Sequence, residues 1–303
     1  MSLKGIKTKI KATERINKVT KAMEAVSAVK MRKSQETALA GRSYASAAVS
    51  ILSRLASSTY VQNHPLFTKR EGKRLLVLVI TSDKGLAGSL NAGVLKAIDK
   101  QIHLASPDVS LVDVYAIGKK GRDYFQNRGP NVIGYTENKQ DAIPVELIQD
   151  VTDILTTRFI EGEYSECLVA YSRFNSTFEQ IPTVRNLLPL TLESLEEVVG
   201  DIIPQTGKYS DTEKGSAPVY TVEPSPEEVL EVLIPKLLSV GVYHLLLESK
   251  ASEHSARMVA MKSASDKSKE VKQELTLQFN RARQAVITSE VSEIIGGIEA
   301  MAQ

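Results

Sequence analysis

Tryptophan is absent from the 303 residues, aromatic residues make up 5%, and cysteine occurs once, at Cys167. So few rings leave little platform for stacking nucleic-acid bases, and one thiol excludes an internal disulfide or a cysteine-built zinc cluster. Long apolar runs are missing too. The longest, Leu75 to Ile80, has six residues against the roughly 20 needed to cross a bilayer, so no membrane-spanning segment is expected and any membrane association should be peripheral. The start, Met1-Ser2-Leu3-Lys4-Gly5, has no apolar core of signal-peptide length, and export is not expected.

Chemical motifs are equally scarce. There is no Gly-x-Gly-x-x-Gly, no Gly-Lys-Ser/Thr phosphate loop and no His-Glu-x-x-His. Gly-x-Ser-x-Gly is lacking as well. The sequence predicts no enzyme, no cofactor and no metal site, although counting residues alone does not eliminate a Ser-His-Asp arrangement. His244 and His254 are ten residues apart on one helix, about 15 Å along its axis and out of line, too far for shared metal ligation. Cys167, inside an apolar strand, reads as a small buried hydrophobe. The loop Ser82-Asp83-Lys84-Gly85-Leu86-Ala87-Gly88-Ser89-Leu90-Asn91 lies where α/β folds bind phosphate. Its Gly-x-x-Gly fits neither standard pattern, so the loop reads as a structural strand-to-helix turn rather than a phosphate site.

What is present is helix-forming sequence at both ends. Residues 1–57 contain no proline, only two glycines, and twelve Lys/Arg against three Asp/Glu. This basic stretch predicts one helix from about residue 3 to 56, roughly 80 Å long. Ala38, Gly41, Ala45, Ala48, Leu52 and Leu55 give it a 3,4 stripe, which Val19, Met23 and Val26 continue one phase earlier. Ser225-Pro226-Glu227-Glu228 is a capping box with proline at the first helical position. From it a stripe runs in alternating steps of three and four from Leu230 through Leu237, His244, Ala251, Met258, Ser265, Lys272 and Phe279 to Val286. It predicts a long coiled-coil helix ending near Gly296-Gly297, roughly 100 Å in all, bent but not broken by Pro235.

Each long helix needs a long partner, and an antiparallel pairing of the two is expected. If residues 56 and 226 lie level, facing residue numbers add to about 282, which sets Met23 opposite residue 259. Ala, Gly, Ser, His and Lys occupy seam positions that a structural coiled coil fills with Leu and Ile. Either the backbones approach closely at small residues or the surface serves further partners.

Between the helices the pattern turns to α/β. Strands are expected at 75–80, 111–117 and 167–171, with an edge strand at 183–190, and helices at 91–104, 119–127 and 144–160. The expected architecture is therefore a long antiparallel coiled coil with a small, doubly wound, Rossmann-like α/β domain between its helices. The boundaries are 1–57 for the first shaft helix, 58–200 for the α/β foot, 201–225 for an irregular connection and 226–303 for the second shaft helix.

Specific stretches now carry a resemblance. Val19-Thr20-Lys21-Ala22-Met23-Glu24-Ala25-Val26 and its continuation to Gln35, Ala251 to Met261, Asn280 to Glu290, and the loop Ser82 to Asn91 resemble signatures of the gamma subunits of rotary F-type ATP synthases. Ala87 stands where many members have cysteine and Ser89 where they have glycine, and residues 191–224 are the least recognisable part. The resemblance implies a non-catalytic rotor shaft inside a hexamer of alpha and beta subunits, with nucleotide chemistry on beta. It also implies a foot on the epsilon subunit and the c-ring, and a peripheral place on the cytoplasmic face of a bacterial plasma membrane.

The family's contact positions carry over as Met23, Lys30, Arg32, Lys33, Glu253, Arg257, Gln284 and Thr288 toward beta, and Tyr220 and Glu223 toward the c-ring. The regulatory dithiol of plant and some algal relatives is not expected with one cysteine. A coiled-coil adaptor or a nucleic-acid-binding arm, drawn from the basic first helix, is the alternative at this level.

Overall fold

The computed structural model describes residues 2–41, 47, 63–72, 74–106, 108–140, 143–191, 193–194 and 225–301. In chain order its elements are α1 (Leu3–Ala40), β1 (Leu75–Ile80), α2 (Leu90–Ala105), β2 (Val112–Ile117), α3 (Lys119–Phe125), β3 (Asn131–Thr136), α4 (Val145–Ile160), β4 (Glu166–Phe174), β5 (Gln180–Leu188) and α5 (Pro226–Met301). The expected continuation of the first helix through residue 56 and most of the connection 201–225 lie outside the described residues. The chain comprises two compact units, Met1–Ser27 with Arg257–Gln303, and Ala28–Ala256.

The larger unit is built on a five-stranded sheet of order β3-β2-β1-β4-β5. β1 pairs in parallel with β2 and β4, β2 in parallel with β3, and only β5 runs antiparallel, against β4. Every residue of β1 is buried, because helices cover both faces and the strand's period of two feeds two cores. Leu75, Val77 and Val79 pack with Val94, Ile98 and Ile102 of α2 and Phe125 of α3. Leu76, Leu78 and Ile80 pack with Ile148, Val151 and Leu155 of α4 and with Leu230, Ile234, Leu238 and Val242 of α5.

The start of α5 is thus a core helix of the α/β unit, where the sequence suggested shaft alone. By length and composition α5 is apolar enough to cross a membrane, contrary to the expectation drawn from uninterrupted runs. Leu230, Ile234, Leu237, Leu238, Val242, Leu245 and Leu246 are instead buried in this core. The capping box forms: the Glu228 N–H donates to Ser225 Oγ at 3.2 Å, and that hydroxyl donates to Glu228 Oε1 at 3.1 Å. Pro235 lies inside the continuous helix, as the in-phase stripe required.

β3 has no counterpart in the expected elements. Gly134 interrupts its apolar pattern, for a packing reason: a Cβ there would fall 2.3 Å from the Tyr115 ring. Below the sheet, the buried Asp113 carboxylate accepts from Arg74 at 2.7 Å, Tyr164 at 2.6 Å and Asn131 at 3.0 Å. Burial and that bond to Asp113 push the Tyr164 phenol up to about 12.

The smaller unit pairs the first part of α1 with the last part of α5. Asn17 Nδ2 donates to the Ser265 carbonyl at 2.7 Å, and Lys272 Nζ to Glu14 Oε1 at 3.1 Å. With Asn17 Nδ2 also 2.8 Å from Ser268 Oγ, facing residue numbers add to between 282 and 286, within about one helical turn of the register set by the arithmetic above. The phase of the α1 stripe differs from expectation. Leu3, Ile6, Ile10, Thr13, Asn17, Thr20, Glu24 and Ser27 form a covered stripe, again in steps of three and four, with Gly5, Glu14 and Met23 half-buried beside it, while Val19 and Val26 are exposed. Following the valines misled because, from residue 13 to residue 27, the inward positions are mostly polar while Ile16, Val19 and Val26 point outward.

On α5 the expected stripe holds its cover from Met258 to Ala282 and becomes exposed at Val286. The helix does not end at Gly296-Gly297 but continues to Met301. Interior glycines cost only about 1 kcal/mol each, and nothing at that point competes with helix.

Candidate functional site

The loop after β1 decides whether this fold binds phosphate at its sheet edge. Asn91 grips the loop from both sides: its Oδ1 accepts from the Ser82 N–H at 3.0 Å and its Nδ2 donates to Ser82 Oγ at 2.8 Å. Ser82 Oγ in turn donates to the Lys84 carbonyl at 2.6 Å. Asp83 fills the anion position itself. Its carboxylate accepts from the Lys119 N–H, at the first turn of α3, at 2.6 Å, from the Asn138 N–H at 2.7 Å and from the Tyr135 hydroxyl at 3.2 Å. Burial and the adjacent Asp83 charge hold the Tyr135 phenol above its ordinary range. A phosphate would meet a carboxylate already using those donors, so the loop is a structural tie between strand ends.

That tie reaches α5. Asn138 Nδ2 donates to the Thr81 carbonyl at 2.7 Å, and the Asn138 carbonyl accepts from the buried Lys250 Nζ at 2.6 Å. Ser252 Oγ donates to the Ser172 carbonyl at 3.0 Å and Ser255 Oγ to the Thr177 carbonyl at 2.7 Å. Over less than two turns, α5 is bonded to the segments following β3 and β4 and to the last part of β4. A helix joined this way to three places resists rotation about its own axis more than apolar packing alone would.

No catalytic constellation accompanies this joint. Burial raises the Cys167 thiol far above its ordinary range, so it supplies no thiolate. Among the described residues, no group of three or more His, Cys, Asp or Glu side chains is placed to hold a metal ion.

The contact positions carried over from the resemblance fall as follows. In the smaller unit, Gln284 and Thr288 are exposed and one turn apart on a common helix face, Met23 is half-buried, and Arg257 is 7% exposed. In the larger unit, Arg32 and Lys33 are exposed, Lys30 is half-buried and Glu253 is buried. Tyr220 and Glu223 lie outside the described residues. Sequence reasoning missed two further features. One is the Lys250 joint, since an isolated lysine carries no motif. The other is an exposed apolar stripe on the end of α5, Ile287, Val291, Ile294, Ile298 and Met301, which repeats the alternating step of the stripe before it.

A pair of long helices whose end bears an exposed apolar stripe, and an α/β unit whose described residues hold no metal-binding group, fit a structural subunit of a larger assembly. A protein-family model described as ATP synthase matches residues 2–301. The ATP synthase gamma chain of Heliobacterium modesticaldum is 38% identical over 303 residues, covering 99% of each chain. That of Pelotomaculum thermopropionicum is 38% identical over 300 residues with the same coverage. Among solved structures, a chain of the Euglena gracilis mitochondrial ATP synthase in its OSCP/F1/c-ring part matches 99% of this chain and 94% of its own at 18% identity, with a TM-score of 0.63. A chain of the Tetrahymena thermophila mitochondrial central stalk and c-ring matches 82% of this chain and 99% of its own at 24% identity, with a TM-score of 0.59.

The chain belongs to the ATP synthase gamma family. It is the central-stalk rotor subunit of an F-type ATP synthase, a non-catalytic part of a membrane-associated complex. The adaptor and nucleic-acid readings give way to this one.

Proposed function

We propose that this chain couples proton-driven turning of a c-ring to ATP synthesis and hydrolysis on the beta subunits of an alpha/beta hexamer. The α/β unit stands with the epsilon subunit on the ring, at the cytoplasmic face of a bacterial plasma membrane. The c-ring is met by the segment containing Tyr220 and Glu223. The hexamer's beta subunits are met by Met23, Lys30, Arg32, Lys33, Glu253, Arg257, Gln284 and Thr288.

One observation carries this reading. The polar groups of the seam pair inward while valines and isoleucines face out, on α1 at Ile16, Val19 and Val26 and on α5 at Ile287, Val291, Ile294 and Ile298. Helices that place small polar residues inside and aliphatic residues outside are shaped for a surrounding protein wall rather than for water. Between residue 257 and residue 284 lie 27 steps of one continuous helix, about 7.5 turns, so Arg257 and Gln284 point to nearly opposite sides. Such a shaft touches different beta subunits at two heights.

The test is native purification of the full chain at moderate salt, with ATPase assays of the chain alone and of whatever accompanies it. The chain alone should hydrolyse no ATP, and the co-purified partners should be alpha and beta subunits with hydrolytic activity. ATPase activity in the homogeneous chain, or co-purification of nucleic acid instead of a hexamer, would overturn the proposal.

A further inference from the structure

We infer that Asn17 is a positioning residue that sets the register of the two shaft helices. Its side-chain amide makes three contacts across the seam: Nδ2 donates to the Ser265 carbonyl at 2.7 Å, and lies 3.1 Å from Ser265 Oγ and 2.8 Å from Ser268 Oγ. Ser268 Oγ also donates back to the Ser265 carbonyl at 2.7 Å, so the acceptors are themselves fixed. Ser265 and Ser268 are buried. A single polar residue in a coiled-coil seam specifies register by making every shifted pairing expensive, at some cost in stability.

The neighbouring seam positions specify little by themselves. Continuing from Asn17 opposite Ser268 in steps of three and four sets Ile10 opposite Leu275, Thr13 opposite Lys272 and Thr20 opposite Ser265. The side chains flanking the pin are therefore short and polar, and Lys272 with Glu14 is a half-exposed ion pair that tolerates displacement. A slip of one heptad sets Asn17 opposite Met261 in one direction and Leu275 in the other. Either way the amide loses both serine hydroxyls and meets an apolar side chain, keeping at most a backbone carbonyl, and a half-buried amide so underpaired is disfavoured. The apolar layers cannot make this distinction, since a heptad slip brings Ile10 opposite Ala282 or Leu3 opposite Leu275, pairs nearly as apolar as the native ones. The inference stands on these contacts and does not depend on which subunits surround the shaft. Within the rotor, a heptad slip of about 10 Å displaces Gln284 and Thr288 along α1 by that amount.

Disulfide trapping in the full chain tests it, with a quiet background because Cys167 is buried. Three pairs are compared: Ile10→Cys with Leu275→Cys for the native register, and Ile10→Cys with Ala282→Cys or Leu3→Cys with Leu275→Cys for the two slips. None removes an acceptor of Asn17. With Asn17 present, only the native pair should close. With Asn17→Leu, closure at a slipped pair should rise at least threefold while the melting temperature holds or increases, and Asn17→Gln, which keeps the amide donor, should restore the native pattern. A merely stabilising hydrogen bond would lower the melting temperature of Asn17→Leu and leave trapping unchanged. Native-only closure in Asn17→Leu, whatever its melting temperature, overturns the inference.

Discussion

Gly118→Ala is expected to destabilise the α/β unit by about 4 kcal/mol, lowering its melting temperature by roughly 10 °C. Gly118 follows β2 with φ +101°, and a Cβ on it would fall 2.1 Å from the Thr81 carbonyl oxygen and 2.8 Å from Thr81 Oγ1. The conformation alone costs an alanine about 1–3 kcal/mol, and the overlap is with backbone, which has little room to move. Thr81 is held on the other side by the Gly121 N–H donating to its Oγ1 at 2.8 Å and by Asn138 Nδ2 at its carbonyl. Displacing Thr81 therefore disturbs Asn138, whose carbonyl receives Lys250 of α5. Circular dichroism during thermal unfolding measures the effect. Gly85→Ala in the same loop region is the control, because nothing lies within 4 Å of its added Cβ, and it should shift stability by under about 0.5 kcal/mol. Equal melting temperatures for the two variants would show that the approach of the strand-end loops is not tight.

Gln284→Ala combined with Thr288→Ala should reduce the coupling of ATP hydrolysis to proton transport, or the hydrolysis rate of the assembled complex, by roughly tenfold. Two neutral hydrogen bonds across an interface are worth about 0.5–1.5 kcal/mol each, and 1.36 kcal/mol corresponds to a tenfold change in rate. Both residues are exposed in the chain, so helix content and assembly should be preserved. Arg257 needs a gentler replacement because it is buried. Arg257→Lys keeps the charge but removes the planar fork that suits a bidentate carboxylate contact, and should lower coupling with little loss of stability. Complexes carrying either variant that assemble, hydrolyse and pump like the parent would remove these residues from the torque path.

The α/β architecture was legible because β1, β2 and β4 are buried on both faces and read as short apolar runs, while amphipathic helices separate them at βαβ spacing. β3 was not legible, since Gly134 is demanded by the Tyr115 ring on the neighbouring strand and no local pattern announces that. On α5 the stripe was legible from Met258 to Ala282, where it faces α1, whereas against the sheet the buried Ile234, Leu238 and Val242 lie off it, because a helix covered by a core buries a face wider than one stripe. On α1 periodicity gave the wrong face: hydrophobicity marks the core only when the core is apolar, and here Asn17, Thr20 and Ser27 lie inward while Val19 and Val26 lie outward. The loop after β1 was read as a structural turn, and Asp83 ties it through partners on α3 and after β3 that are distant in sequence. The contact residues came from resemblance rather than chemistry, since an exposed Gln or Thr on a helix carries no signature of its partner.

Rotation of the α/β unit relative to the hexamer is the direct measurement. Leu104, 70% exposed near the end of α2, accepts a probe as Leu104→Cys, while the buried Cys167 stays unlabelled. With the alpha/beta hexamer fixed to a surface and ATP supplied, the probe should turn in one direction in three equal steps per revolution. A probe that stays still, or only fluctuates, while the hexamer hydrolyses ATP at its full rate would contradict a rotor role for this chain.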